Sequence, residues 1–154
     1  FGVGQVGTDP PRAPASTAPS AHHVRLVAET LAADPYTFDL TPRGWSVQGQ
    51  SPYGVTIAPD DGSTSDEPDD FVGKLVILFD QNPPDGKHVV RDGRDFWVRD
   101  GDSGYVTVAM TTRADEPPGV VRIQYPAKSG WSLTTMIEFL GSVHVGPGAL
   151  PGQG

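Results

Sequence analysis

Gly101-Asp102-Ser103-Gly104 is where the residue types of this chain come nearest to a known piece of catalytic chemistry. A serine flanked by Asp and Gly is a setting for a nucleophile that attacks a carbonyl carbon. It works only if a histidine base and a carboxylate that orients the base stand beside it. The histidines that precede it are His22, His23 and His88. The first two fall at the junction of a Pro-rich stretch with the body, and the third lies two strands before the motif. The wider stretch Asp100-Gly101-Asp102-Ser103-Gly104 also has the composition of a hairpin loop. Two glycines supply positive φ, and Asp and Ser bond the turn's own backbone. We therefore read Ser103 as a turn residue.

Trypsin-like proteases share that tetrad, but they order their triad His, Asp, Ser and need a much longer chain of two barrels. The match here is four letters of 154. Calcium is the next chemistry to weigh, because Asp60, Asp61, Asp66, Glu67, Asp69 and Asp70 crowd one loop. An EF-hand places Asp at positions 1, 3 and 5, Gly at 6 and Glu at 12. Asp100 and Asp102 start that pattern and Gly104 breaks it, so weak calcium binding is the most the acids predict. The loop reads as a solvated excursion that folding does not require. His22-His23 points to opposite sides of the backbone and makes no zinc site. Glu29 and Glu138 read as solvent residues, and no Gly-rich loop links a strand to a helix as phosphate binding needs. We assign no catalytic residue, no cofactor and no metal ligand. The aromatics carry more: Trp45, Tyr53, Trp97, Tyr105 and Trp131 sit at strand starts and turns, and we take them as a candidate interaction surface.

Composition narrows the partners. Nineteen acidic against 11 basic residues give a formal charge of −8, which argues against nucleic acid and anionic lipid. There is no cysteine and hence no disulfide framework. Nineteen glycines and 16 prolines among 154 residues suggest a folded body with polar extensions.

Residues 1–20 are rich in Pro, Ala, Ser and Thr and read as an extended tether. The body spans 21–146, and 147–154 reads as a flexible tail. Val24, Val27, Ala28 and Leu31 fall at helical spacing, predicting a helix near 21–33 that Asp34-Pro35 ends. Strands follow in "YTFDL", "WSVQ" and "GVTIA". "KLVILFD" has no polar alternation and reads as the central strand, buried on both faces. Then "KHVVR", "RDFWVR", "YVTVAMTT" and "VVRIQYP" form a meander, its first turn marked by Asp92-Gly93. Ser132 caps a helix over 132–141 with Leu133, Met136, Ile137 and Leu140 on one face, and "SVHV" adds an edge strand. The expected fold is α+β: an antiparallel meander with an N-terminal and a C-terminal helix on one face.

The succession "PRGWSVQGQSPYGVTIAP", "FVGKLVILFDQNPP", "DGRDFWVRDGDSGYVTV", "VVRIQYP" and "GWSLTTMIEFLGSVHV" resembles the extracytoplasmic domains of single-pass membrane proteins from high-GC Gram-positive bacteria. It is also similar in element order to the PsbP-like α+β sandwich. The resemblance covers roughly residues 36–146. It implies a non-catalytic interaction or sensory domain, tethered to the cell envelope by an anchor upstream of this chain. Such a domain meets a protein, a second copy of itself or an apolar ligand through a sheet edge or the aromatic rim. The alternative is a hydrolase whose site is assembled from residues such as His88, Asp95 and Arg99. If Ser103 is a turn residue, Ser103→Ala leaves stability within about 0.5 kcal/mol. A fluorophosphonate probe then fails to label the wild-type serine, and a labelled Ser103 in a tryptic map would reverse the assignment.

Overall fold

A computed structural model describes residues 23–67, 70–101, 104–127 and 129–151. Ser103, His22 and the tether 1–20 lie outside the described residues. The chain is mostly β, with one helix among the described residues, and the expected α+β fold with two helices is not what forms. In chain order the elements are β1 (Leu26–Val27), β2 (Leu31–Ala33), β3 (Tyr36–Phe38), β4 (Thr41–Pro42), β5 (Trp45–Ser51) and β6 (Gly54–Pro59). After them come β7 (Leu75–Asp80), β8 (Lys87–Arg91), β9 (Arg94–Asp100), β10 (Tyr105–Thr111), β11 (Val120–Pro126), α1 (Leu133–Gly141) and β12 (Val143–Val145).

The N-terminal helix is replaced by β1 and β2, and the reason lies in what those residues meet. The Val24 amide donates to the carbonyl of Gly130, and β1 pairs with β4, Leu26 opposite Pro42. Ala33 is fully buried, although it lay off the expected helical stripe, and it faces Tyr36 across the Asp34-Pro35 turn. Helix propensity in a short segment is a weak preference, and pairing with β3 overrides it.

Seven strands make one antiparallel sheet in the order β5-β6-β7-β11-β10-β9-β8. The four-strand meander β8 to β11 is present, its first turn made by Asp92 (φ 53°) and Gly93 (φ 77°), both left-handed. The middle strand is β11, with β7 beside it. A small sheet, β12-β3-β2, and α1 cover one face.

Ser132 caps α1, its Oγ accepting from the Thr135 amide, and Met136, Ile137, Phe139 and Leu140 are buried. A nine-residue helix is not stable alone, so this apolar face holds it in place. Phe38 stacks on Phe139 at 4.5 Å, and Tyr36 meets Phe79 edge-on at 6.2 Å. Beyond β12 the expected tail stays on the body as far as it is described. Ala149 is buried and the Leu150 amide donates to Pro52 O at 2.9 Å.

Tyr36 is fully buried, and its hydroxyl donates to Pro52 O at 2.6 Å. Burial pushes its pKa well above that of a free tyrosine, and burial followed by the charge of Asp100 raises Tyr125. Above the unfolded-state value near 10 the unfolded chain ionises first, so stability is complete below that pH and falls as pH rises past it. Urea midpoints should therefore drop between pH 8 and pH 11. Tyr36→Phe loses about 1 kcal/mol at pH 8 with the hydrogen bond, but a smaller drop at pH 11 is expected for it. An equal drop in both proteins would show that Tyr36 is not responsible.

Candidate functional site: a groove across the open sheet face

The face of the large sheet away from α1 has a floor set by strand register. Thr56, Val76, Gln124, Thr107 and Arg99 stand opposite one another in one row across β6, β7, β11, β10 and β9. The next row is Gly54, Leu78, Arg122, Ala109 and Trp97, continued by His88 on β8. Two connections cross this face and make the walls.

The described residues of the acidic loop, 60–67 and 70–74, form one wall. Gln48 Nε2 donates to Ser65 O at 3.0 Å, and the Gly73 amide donates to the Tyr105 hydroxyl oxygen at 2.9 Å. Lys74 is fully buried at the base of this acidic loop, its Nζ donating to Glu67 O at 2.8 Å. An ammonium enclosed in protein depends on such acceptors, so the loop is tied to the body at Glu67, while the side chains of Asp60, Asp61, Asp66 and Glu67 stay exposed as expected.

Residues 81–86 form the other wall. Arg122 holds them: its Nε donates to Asp80 Oδ2 at 3.1 Å, and its Nη2 to the carbonyls of Asn82 (2.5 Å) and Pro83 (3.1 Å). Asp80 completes the tie by accepting from the Asn82 amide at 2.9 Å. Arg99 is different. It is exposed and meets one partner, Asp85, at 3.4 Å.

Between the walls lie two adjoining hollows that share Val76 and Leu78. The first, about 280 Å³, is apolar and lined by Tyr53, Phe71, Val76 and Leu78. Gly54 lets β6 come close to β7 at its floor, because a Cβ there would run into the carbonyl of Ile77. The second, about 370 Å³, is mixed: Gln124, Thr107, Arg99, Arg122 and Asp85 line it together with Val76, Leu78 and Pro83. Tyr53, Phe71 and Leu78 are 51%, 46% and 50% exposed and line the same hollow, so the apolar end is a patch rather than scattered residues.

Of the five aromatics expected to make an interaction surface, the structure brings some to this face and buries others. Tyr53 lines the groove and the Tyr105 hydroxyl holds its wall. Trp97 lies on the same face, 5.4 Å from the His88 ring. Trp45 and Trp131 meet edge-on at 5.9 Å on the other face, where Trp131 is buried against Phe139. Phe71, Leu78 and Arg122 went unassigned in the sequence, and Arg99 was named only for the alternative hydrolase site. The alternation of Arg122 and Gln124 in "VVRIQYP" is the signal that one face of the sheet is polar.

The groove offers binding contacts, and among the described residues no nucleophile sits beside a base. His88 Nε2 is 2.8 Å from Asp95, but both side chains are about half exposed, and Arg99 turns away to Asp85. His144 lies 2.9 Å from Asp39 and 3.7 Å from Glu116 at the rim of the opposite face. Neither pair has a serine or threonine hydroxyl among the partners found for it. Among the described residues no group of three or more His, Asp or Glu is placed to hold a metal ion. Comparison with family models, with curated proteins and with solved structures finds no match.

Deleting residues 61–69 removes the acceptor of a buried ammonium. A hydrogen bond to a charged group contributes about 1.5–3 kcal/mol, whereas shortening a free loop changes stability by about 1 kcal/mol or less. The urea midpoint of the deletion should fall by the larger amount, and Lys74→Met in the deletion background should recover part of it. No fall, or no recovery, would show that Lys74 does not depend on the loop.

Proposed function

We propose that the protein is a non-catalytic binding domain that holds an extended, partly apolar segment of another protein across the open face of its large sheet. The observation that carries this is the exposure of Tyr53, Phe71 and Leu78 around one hollow, beside a second hollow lined by Gln124, Thr107, Arg99 and Arg122 on the same floor. Patches of this kind on a folded surface mark interaction sites. Both hollows are open along the surface rather than enclosed, and a small ligand bound tightly loses most of its surface to a closed pocket. A protein segment asks less enclosure and can place apolar side chains at one end and hydrogen-bonding groups at the other. The Pro/Ala/Ser/Thr composition of residues 8–20 supports placing this domain on a tether at the cell envelope, outside the membrane. No helix among the described residues is long and apolar enough to cross a membrane.

Leu78 is half exposed, so Leu78→Asp is expected to leave the fold intact and remove the apolar floor. Linear peptides selected from a library against the wild-type chain should carry spaced apolar residues. They should lose at least about tenfold in affinity, or 1.4 kcal/mol, on Leu78→Asp. Peptides that bind both proteins equally, or a library that yields none, would rule the groove out.

A further inference from the structure

The β8–β9 hairpin sets Arg91 directly opposite Arg94 across the Asp92-Gly93 turn. Like charges facing each other across an antiparallel pair destabilise it. Arg94 and Arg113 then converge on one acceptor at the end of α1. Arg94 Nη1 donates to Gly141 O at 3.1 Å and Arg113 Nη2 to the same oxygen at 2.9 Å. Arg113 has its counter-ion in the well-buried Glu116, 3.4 Å away. Arg94 is partly buried and has no carboxylate oxygen within 4.0 Å among the described residues. Among the described residues one of its five N–H donors is engaged, in the bond to Gly141. Burial, and after it the charge of Arg113, hold its pKa below the ordinary arginine value, with Glu116 opposing. Arg91 is exposed and likewise has no acid within that distance among the described residues.

The three guanidiniums line one cleft of about 400 Å³ whose apolar walls are Leu40, Phe96 and Ile137. Three acids also reach it: Asp39, which His144 engages at 2.9 Å, Asp92 and Glu138. These, with the negative end of the helix, disfavour a multiply charged anion. A planar monoanion fits better, since a guanidinium offers two parallel N–H groups to two oxygens. We propose that this cleft binds the carboxylate of a small amphiphilic acid, with Arg94 and Arg91 on its oxygens and its carbon chain along Leu40 and Ile137. The site is separate from the open-face groove.

The test titrates the full chain at constant ionic strength with sodium hexanoate, acetate, N-acetylleucine, N-acetylleucine amide and inorganic phosphate. Backbone amide NMR signals of Gly93, Gly141 and Ser142 report binding. Hexanoate and N-acetylleucine should move them saturably, hexanoate more tightly than acetate, while the amide and phosphate should not. The tighter of the first two indicates whether a free acid or a peptide terminus is the better source of the carboxylate. Arg94→Gln should weaken hexanoate at least tenfold. Arg91→Gln should weaken it severalfold, and because Arg91 is exposed and unbonded its ligand-free melting temperature should stay the same or rise. Leu78→Asp, on the other face, should leave the titration unchanged. Shifts that do not saturate, that phosphate reproduces, or that persist in both arginine variants would overturn the proposal.

Discussion

The connection from β7 to β8 has to travel four strand spacings, about 19 Å across the sheet. The links from Asp80 to Lys87 reach about 23 Å when fully stretched. The chain between them is therefore close to straight, and Pro83-Pro84 suits that extended path. Arg122 holds it to the sheet, through Asp80 and two carbonyls, from the middle strand. Gly86 lets the end of the connection come down against the Val98 carbonyl, where a Cβ would collide. This one guanidinium therefore determines that the open face carries a wall. Without it the floor of Val76, Leu78, Gln124 and Thr107 would lose one of its two walls.

Much of this arrangement was legible in the sequence, and the failures are local. The meander strands are apolar runs separated by turn residues, and Asp92-Gly93 fixes its hairpin because both residues accept left-handed backbone. Ser132 and the apolar stripe from Leu133 to Leu140 mark α1 by capping and period. The segment 24–33 failed because its apolar spacing fits both a helix and short strands. Only the far partners decide, Gly130 for Val24 and β3 for β2. "KLVILFD" misled in a different way. Continuous apolar residues imply burial on both faces, yet Leu78 is half exposed because the two walls leave a gap above it. No pattern within seven residues reports where loops from elsewhere will lie.

The candidate site follows the same division. Aromatic type alone grouped Trp45 and Trp131 with Tyr53, although the first two serve the closed face. What separates them is register, since residues on one strand alternate faces and a bulge shifts β5 between Val47 and Gly49. Lys74 shows the same limit from the side of charge. An isolated lysine after an acidic loop reads as surface, and its enclosure comes from Glu67 folding back over it.

The two faces of the sheet thus have different physics, and that difference bears on function. One face is closed by α1 and the small sheet, with Phe38, Tyr36, Phe79 and Phe139 packed together, and its polar groups gather at the edge where Arg94, Arg113 and Glu116 meet the helix end. On that side a ligand has access at the rim. The other face has polar rows at its centre and apolar residues toward β5 and β6, held open by two loops that polar contacts pin. An isolated surface hydrophobe needs no explanation, but a row of them beside satisfied polar groups persists only where the surrounding structure prevents collapse. Here the pinned walls prevent it. A surface kept open by Arg122 and by the Lys74-anchored loop is preorganised, so a partner that docks there meets walls already ordered and does not have to order them.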